Sequence, residues 1–165
     1  MTVELSDNDK MMLESLYWWD VPTLFRAPLE RDPAKLDIAL VGVPMDLGVT
    51  NRPGARFGPR ALRLIERIGP YNHALKTVPA GSRRIADVGD VPMRSRFSLN
   101  DSIEDIEAYY KRVVAAGVIP LSVGGDHSIT YPILKAIGEK EPVGMVHIDA
   151  HMDTGGPYDG EKFFH

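Results

Sequence analysis

The sequence has no cysteine among its 165 residues. That absence excludes disulfide staples, thiolate zinc sites and a thiol nucleophile. It has no apolar run near the roughly 20 residues that a membrane-spanning helix needs. It lacks a basic excess, since 19 Lys+Arg against 23 Asp+Glu gives 19 − 23 = −4 with histidine neutral. Nucleic-acid binders usually carry a basic patch, so that class is disfavoured. The glycines at 124 and 125 are followed by no Gly-Lys-Ser/Thr, which removes the phosphate-loop reading. Met1 to Lys10 is polar and acidic, unlike the start of a secretory signal. Repeats and low-complexity tracts are also missing. What remains is 44% hydrophobic, enough at this length for one domain that buries roughly 68–70% of its unfolded surface. A soluble domain follows, with a cytoplasmic location expected.

Residues 6–17 carry Met11, Met12, Leu13, Leu16 and Tyr17 among charged side chains, a helical pattern. Trp18 and Trp19 open the next stretch, where Pro22 and Pro28 keep the chain extended. Residues 1–36 therefore read as a helix and an arm. The arm lies either across its own domain or against a neighbouring subunit, because aromatics are enriched in interface cores.

From residue 37 to 165 strands alternate with helices. Strands are expected at 37–43, 85–88, 118–123 and 143–149, with Gly89 ending the second. The first is nearly all apolar, as suits a parallel strand covered on both faces. A long Gly/Pro loop is expected at 45–58, then a helix at 60–68 with Pro59 at its start and Gly69 after it. Ser98 or Asn100 can cap the next helix, which Gly117 ends, and a further helix covers about 128–139. Such alternation means right-handed crossovers and a parallel sheet, an α/β fold.

Four of the five histidines fall late in the chain: His127, His147, His151 and His165. Asp149-Ala150-His151-Met152-Asp153 ends an expected buried strand, and alternation puts Asp149, His151 and Asp153 on one side if the path stays extended. Gly124-Gly125-Asp126-His127 ends the preceding strand, so His127 can face them across the crevice at the strands' carboxyl ends. Two carboxylates and two imidazoles without sulfur suit Mn²⁺, and less selectively Ni²⁺, Fe²⁺, Co²⁺ or Zn²⁺. A bridging carboxylate could hold two ions roughly 3.5 Å apart. Burying these groups together is costly unless a metal pairs with them. His147 shares their parity but lies deeper, where a hydrogen-bonded core histidine is the reading. His73 has no acidic or histidine company and reads as surface.

These motifs resemble the ureohydrolase family of arginases, agmatinases and related guanidino-acid amidinohydrolases. The runs at 124–127 and 149–153 match two of its metal motifs. The loop Asn51-Arg52-Pro53-Gly54-Ala55-Arg56-Phe57-Gly58-Pro59 is similar to the agmatinase-like branch. Gly89-Asp90-Val91, Tyr71-Asn72 and Gly160-Glu161-Lys162 look most like guanidinobutyrase and guanidinopropionase members. The resemblance implies a three-layer arginase-like fold with a central parallel sheet, and an oligomer of identical subunits, trimeric or hexameric. It implies that His127 and Asp153 bind one Mn²⁺ and His151 the other, with Asp149 bridging. Ni²⁺ is an alternative metal. It gives His165 a proton-shuttling role near the substrate and Asp126 the task of orienting a metal ligand. The implied reaction is hydrolysis of a guanidinium to urea and an amine by a metal-bridging hydroxide. The substrate would be 4-guanidinobutyrate, 3-guanidinopropionate, agmatine or guanidine. Arg52 or Arg56 could meet a carboxylate tail.

The family's downstream Asp-x-Asp-x-x-Asp-Pro, source of two further carboxylate ligands, has no counterpart in the 165 residues. The chain thus reads as the amino-terminal half of a typical subunit, a truncated fold. Gly155 stands where several relatives have Asn. The alternative function is an inactive binding or assembly subunit. A related metal-dependent deacetylase is disfavoured by the 52–59 loop and by the Asp-Ala-His-x-Asp form.

Overall fold

A computed structural model of the chain describes residues 7, 21–65, 72–76 and 83–164. The expected helix at 6–17 apart from Asp7, both tryptophans, Gly69, Tyr71 and His165 lie outside the described residues. Among the described residues three parallel strands form the sheet: β1 (Ile38–Val43), β2 (Ile85–Asp90) and β3 (Ile119–Gly124), in the order β2-β1-β3. The α-helices whose bounds lie within the described residues are α1 (Gly58–Arg63), α2 (Leu99–Ala115) and α3 (Thr130–Ile137). The sheet, with helices between its parallel strands, is the α/β architecture expected.

β1 sits at the centre because both its faces are apolar and both can be covered. Ala39, Val41 and Val43 belong to the larger core, with Ile106, Tyr110 and Val113 of α2 and Ala136 of α3. Leu40 points the other way, into a smaller core with Leu24 and Ala27 of the arm and Leu62 of α1. Helix α2 follows from its spacing: Ile103, Ile106, Tyr110 and Val113 share one buried face. Its cap is Ser98, whose hydroxyl accepts the Asp101 N–H at 3.2 Å. Tyr110 is fully buried and its hydroxyl meets Ser122 Oγ at 2.6 Å, satisfying the one polar atom that burial would strand.

The described part of the arm, residues 21–36, lies across its own domain. Asp87 N–H donates to Pro28 O at 2.8 Å and Glu30 N–H donates to Asp87 O at 3.1 Å, so the arm lines the outer edge of β2. The Asp87 carboxylate is buried and takes four donors: Leu24 N–H, Gly89 N–H and two nitrogens of Arg63 at 2.7 and 3.0 Å. Burial pushes this carboxyl up, yet the Arg63 guanidinium and the two N–H groups pull it below its ordinary value.

Three expectations change. Gly89 does not stop β2, which continues to Asp90. Its φ of +93° makes a bulge, where the register against β1 slips between Leu40 and Val41. Helix α1 starts at Gly58, with Pro59 in its first turn as expected, and ends at Arg63, where the Leu64 N–H is shared by the carbonyls of Arg60 and Ala61. The expected fourth strand is not a strand: residues 142–148 run without a ladder, and Val146 and Ile148 are 90% and 93% exposed. An apolar run becomes a parallel strand only where a neighbouring edge takes its hydrogen bonds and a layer covers its face. Among the described residues this segment has neither.

Candidate metal centre

β3 delivers the chain to the turn Gly124-Gly125-Asp126-His127. Gly125 has φ +73°, and a Cβ there would lie 2.5 Å from Val43 O and 2.6 Å from Met45 O, so only glycine lets the turn close against the end of β1. The Asp126 N–H donates to Met45 O at 2.8 Å. The Asp126 carboxylate is buried and accepts Gly48 N–H at 2.8 Å, Ser128 N–H at 3.0 Å and the Ser128 hydroxyl. It caps the 3-10 turn His127–Ile129 and acts on His127 through the turn to which both belong.

Across from this turn, the 142–153 segment brings back acids and histidines. His127 Nδ1 lies 2.6 Å from Asp149 Oδ2 and 3.5 Å from Asp153 Oδ2. His147 Nε2 lies 3.6 Å from the same two oxygens. One ligand atom from each of His127, His147, Asp149 and Asp153 lies within 4.8 Å of all the others. The imidazoles of His127 and His147 meet edge-on, with centroids 4.9 Å apart.

His151 stands apart. Its side chain is 83% exposed and its Nδ1 is 3.6 Å from Asp149 Oδ1, the oxygen opposite the one that His127 faces. The Asp149 Oδ1 also accepts the His151 N–H at 2.9 Å. That side-chain turn bends the chain and breaks the alternation that would have put Asp149, His151 and Asp153 on one side. The His151 N–H first, and then the His127 and His147 imidazoles, hold the Asp149 carboxyl below its ordinary value against the opposing push of burial.

The arrangement fits a divalent cation on one observation above others. His147 Nε2 is buried and has no hydrogen-bond partner, although two carboxylate oxygens stand 3.6 Å away. A buried donor or acceptor without a partner is costly. Carboxylates and imidazoles at this spacing form a donor set for a borderline or hard ion.

The structure therefore gathers three of the four expected ligands, His127, Asp149 and Asp153, and adds His147. Residue parity pointed to His147, but its depth in the expected strand argued for a core role. With no strand at 142–148 that depth does not exist. Of the two arginines considered for a substrate carboxylate, Arg56 is committed to buried Asp46 through its guanidinium, while Arg52 is exposed in the loop. The Arg56 guanidinium holds the Asp46 carboxyl below its ordinary value. His73 is exposed, as expected.

A concavity of about 490 Å³ opens between Leu47–Thr50, Phe97–Asn100 and the turn at 158–164. That turn is held to α3 by Phe163, whose ring stacks on Tyr131 at 4.9 Å.

Comparison with known proteins gives a consistent result. The arginase family profile matches residues 36–165. The mitochondrial guanidino acid hydrolase of Homo sapiens is 47% identical over 147 residues, covering 88% of this chain and 42% of that protein. Among solved structures, proclavaminate amidino hydrolase from Streptomyces clavuligerus superposes with a TM-score of 0.79 at 30% identity, over 90% of this chain and 50% of that one. A Trypanosoma cruzi formiminoglutamase solved with Mn²⁺ superposes with a TM-score of 0.72 at 28% identity, over 88% of this chain and 50% of that one. The chain thus spans about half the length of the proteins it matches, or somewhat less. Among the described residues no helix is long and apolar enough to cross a membrane.

Proposed function

The chain belongs to the arginase family, and on that premise we propose that the protein is a metal-dependent amidinohydrolase releasing urea from a guanidino compound. The observation that carries this reading is the convergence of His127, His147, Asp149 and Asp153 at the carboxyl end of β3. Catalytic and ligand groups of open parallel sheets sit at that end.

Within this reading His127 and Asp153 would hold one Mn²⁺ and Asp149 would be the carboxylate shared with a second. The two oxygens of Asp149 face different histidines, His127 and His151, which supports a bridging role with His151 on the second ion. His147, with Nε2 at 3.6 Å from Asp149 Oδ2 and Asp153 Oδ2, would be a further donor to the ion held by His127. Ni²⁺ satisfies the same donors. When bound, the ions supply the Lewis acidity that makes water a nucleophile near neutral pH. The chain's own part is geometric. Asp126 locks the turn that carries His127, and Asp149 fixes the path to His151. His165 is assigned the proton transfer to the leaving amine, as the sequence motif suggests.

The substrate is 4-guanidinobutyrate, 3-guanidinopropionate, agmatine or guanidine. A relative named as a guanidino acid hydrolase favours an acidic tail, and of the two loop arginines considered Arg52 is the one not committed to an acid. Assembly into a homo-oligomer and a cytoplasmic location complete the reading, tested by light scattering and cell fractionation.

The deciding assay is urea release by the full-length protein loaded with Mn²⁺ or Ni²⁺, offered each of the four substrates. Urea from at least one is expected, and none from any overturns the reading.

A further inference from the structure

A cavity of about 570 Å³ lies at the carboxyl ends of β1 and β2, and none of the metal-cluster residues lines it. β1 stands between β2 and β3, so this cavity and the histidine cluster occupy different ends of the sheet's rim. Its lining is mixed. Met45, Phe57 and Met93 give it an apolar wall, while Asp46, Asp90, Arg56, Arg60 and Arg96 give it charge. Each of the two acids already has a cation. Asp46 is buried against Arg56, and Asp90 Oδ1 takes Arg63 Nη1 at 2.6 Å.

That leaves Arg60 and Arg96. Both are exposed, both line the cavity, and neither side chain has a hydrogen bond or ion pair to any other described residue. The first turn of α2, at Ser102, also borders the space, and the positive end of a 17-residue helix adds to the same sign of field. A guanidinium recognises a carboxylate through paired, directional N–H donors, and it lies flat against apolar walls at little hydration cost. The apolar residues have no use for a bare inorganic anion. They suit an anion with a hydrocarbon body.

We propose that this cavity is a binding site for a small aliphatic carboxylate, separate from the metal centre, with Arg60 and Arg96 as its anion receptors and Met45, Phe57 and Met93 against its chain. A ligand here would report on the loop at residues 44–48, which links the cavity to Asp126 through the Gly48 N–H and Met45 carbonyl. The site is therefore placed to influence the turn that carries His127 without touching it.

The test is calorimetric titration of the metal-loaded protein with glutarate, with its neutral analogue glutaramide, and with inorganic phosphate. Glutarate is expected to bind at least tenfold more tightly than either of the others. Arg60→Gln and Arg96→Gln should each weaken glutarate at least tenfold with an unchanged circular dichroism spectrum. Exposed, unpaired side chains of this kind can be replaced without loss of fold. Removing metal with a chelator should leave glutarate affinity unchanged. Full affinity in both variants overturns the proposal. So does loss of binding on chelation, because that outcome places glutarate on the metal cluster. Phosphate binding as tightly as glutarate overturns the role given to the apolar wall.

Discussion

Two clusters of acids sit at the rim of this sheet, and the chain treats them differently. At the end of β2, Asp87 and Asp90 are met by Arg63, with backbone N–H groups filling the other lone pairs of Asp87. At the end of β3, Asp149 and Asp153 are met only by histidines among the described residues, and His147 Nε2 is left buried and unpartnered between them. The first cluster is closed by cations that the sequence itself supplies, and it binds the arm, α1 and β2 together. In the second, only imidazole side chains face the acids among the described residues. That difference in countercharge is what the proposed metal site is argued from.

Breaking the closed cluster should have the largest effect. Arg63→Met leaves Asp87 buried without its guanidinium, and removing one partner of a buried pair costs about 3–5 kcal/mol. Urea denaturation of the variant should show a loss of that order, whereas a wild-type midpoint would mean that the backbone donors alone suffice.

The open cluster should respond to metal. Adding Mn²⁺ at a hundred times its dissociation constant stabilises a protein that binds it only when folded by about 2.7 kcal/mol. A rise in melting temperature is expected for the wild type and none for Asp149→Asn. His147→Ala sharpens the comparison: a reduced rise makes His147 a ligand, and an undiminished one makes it a bystander.

Acid should reach the two clusters in order of their chemistry. Asp87 has a folded pKa below its unfolded value, so its contribution to stability is complete above about pH 4, the ordinary carboxylate range, and is lost as pH falls through the lower folded value. The slope of stability against pH below 4 should flatten in Asp87→Asn. Denaturant midpoints between pH 5 and pH 2 give that slope directly.

The smallest change belongs to an exposed pair that resembles the closed cluster only on paper. The Arg84 side chain and N–H hold Asp37 at a pKa of about 2, but both side chains are open to water. Asp37→Asn should move the denaturation midpoint least of all, and added salt should remove what difference there is.

Much of this was legible from residue types alone. β1 and β3, Ser98 as the cap of α2, and the placing of the turn at 124–127 near the acids at 149 and 153 all follow from periodicity and spacing. The failures have a common cause. Gly89 reads as a stop because a sequence shows a glycine but not its dihedral, and a positive φ turns the same residue into a bulge. Residues 143–149 have a strand's apolar pattern, but a strand is a relation between two segments and the pattern describes only one. Losing that strand misplaced His147 and His151 together. The bend made by Asp149 accepting the His151 N–H sends His151 outward and leaves His147 beside His127. Arg56 looked available because its partner Asp46 lies ten residues away, across a loop whose closure no local pattern announces.

The sheet's two rims are finished unequally. Along β2 the arm's backbone at Pro28 and Glu30 takes up the N–H and C=O of Asp87, and the rim is sealed there. Along β3 nothing among the described residues does the same, and Ile119 and Leu121 are exposed beside the bare backbone. Open backbone groups next to apolar side chains are a template for any passing strand. Of the two rims, the one along β3 is therefore the one whose backbone hydrogen-bonding groups stay open among the described residues.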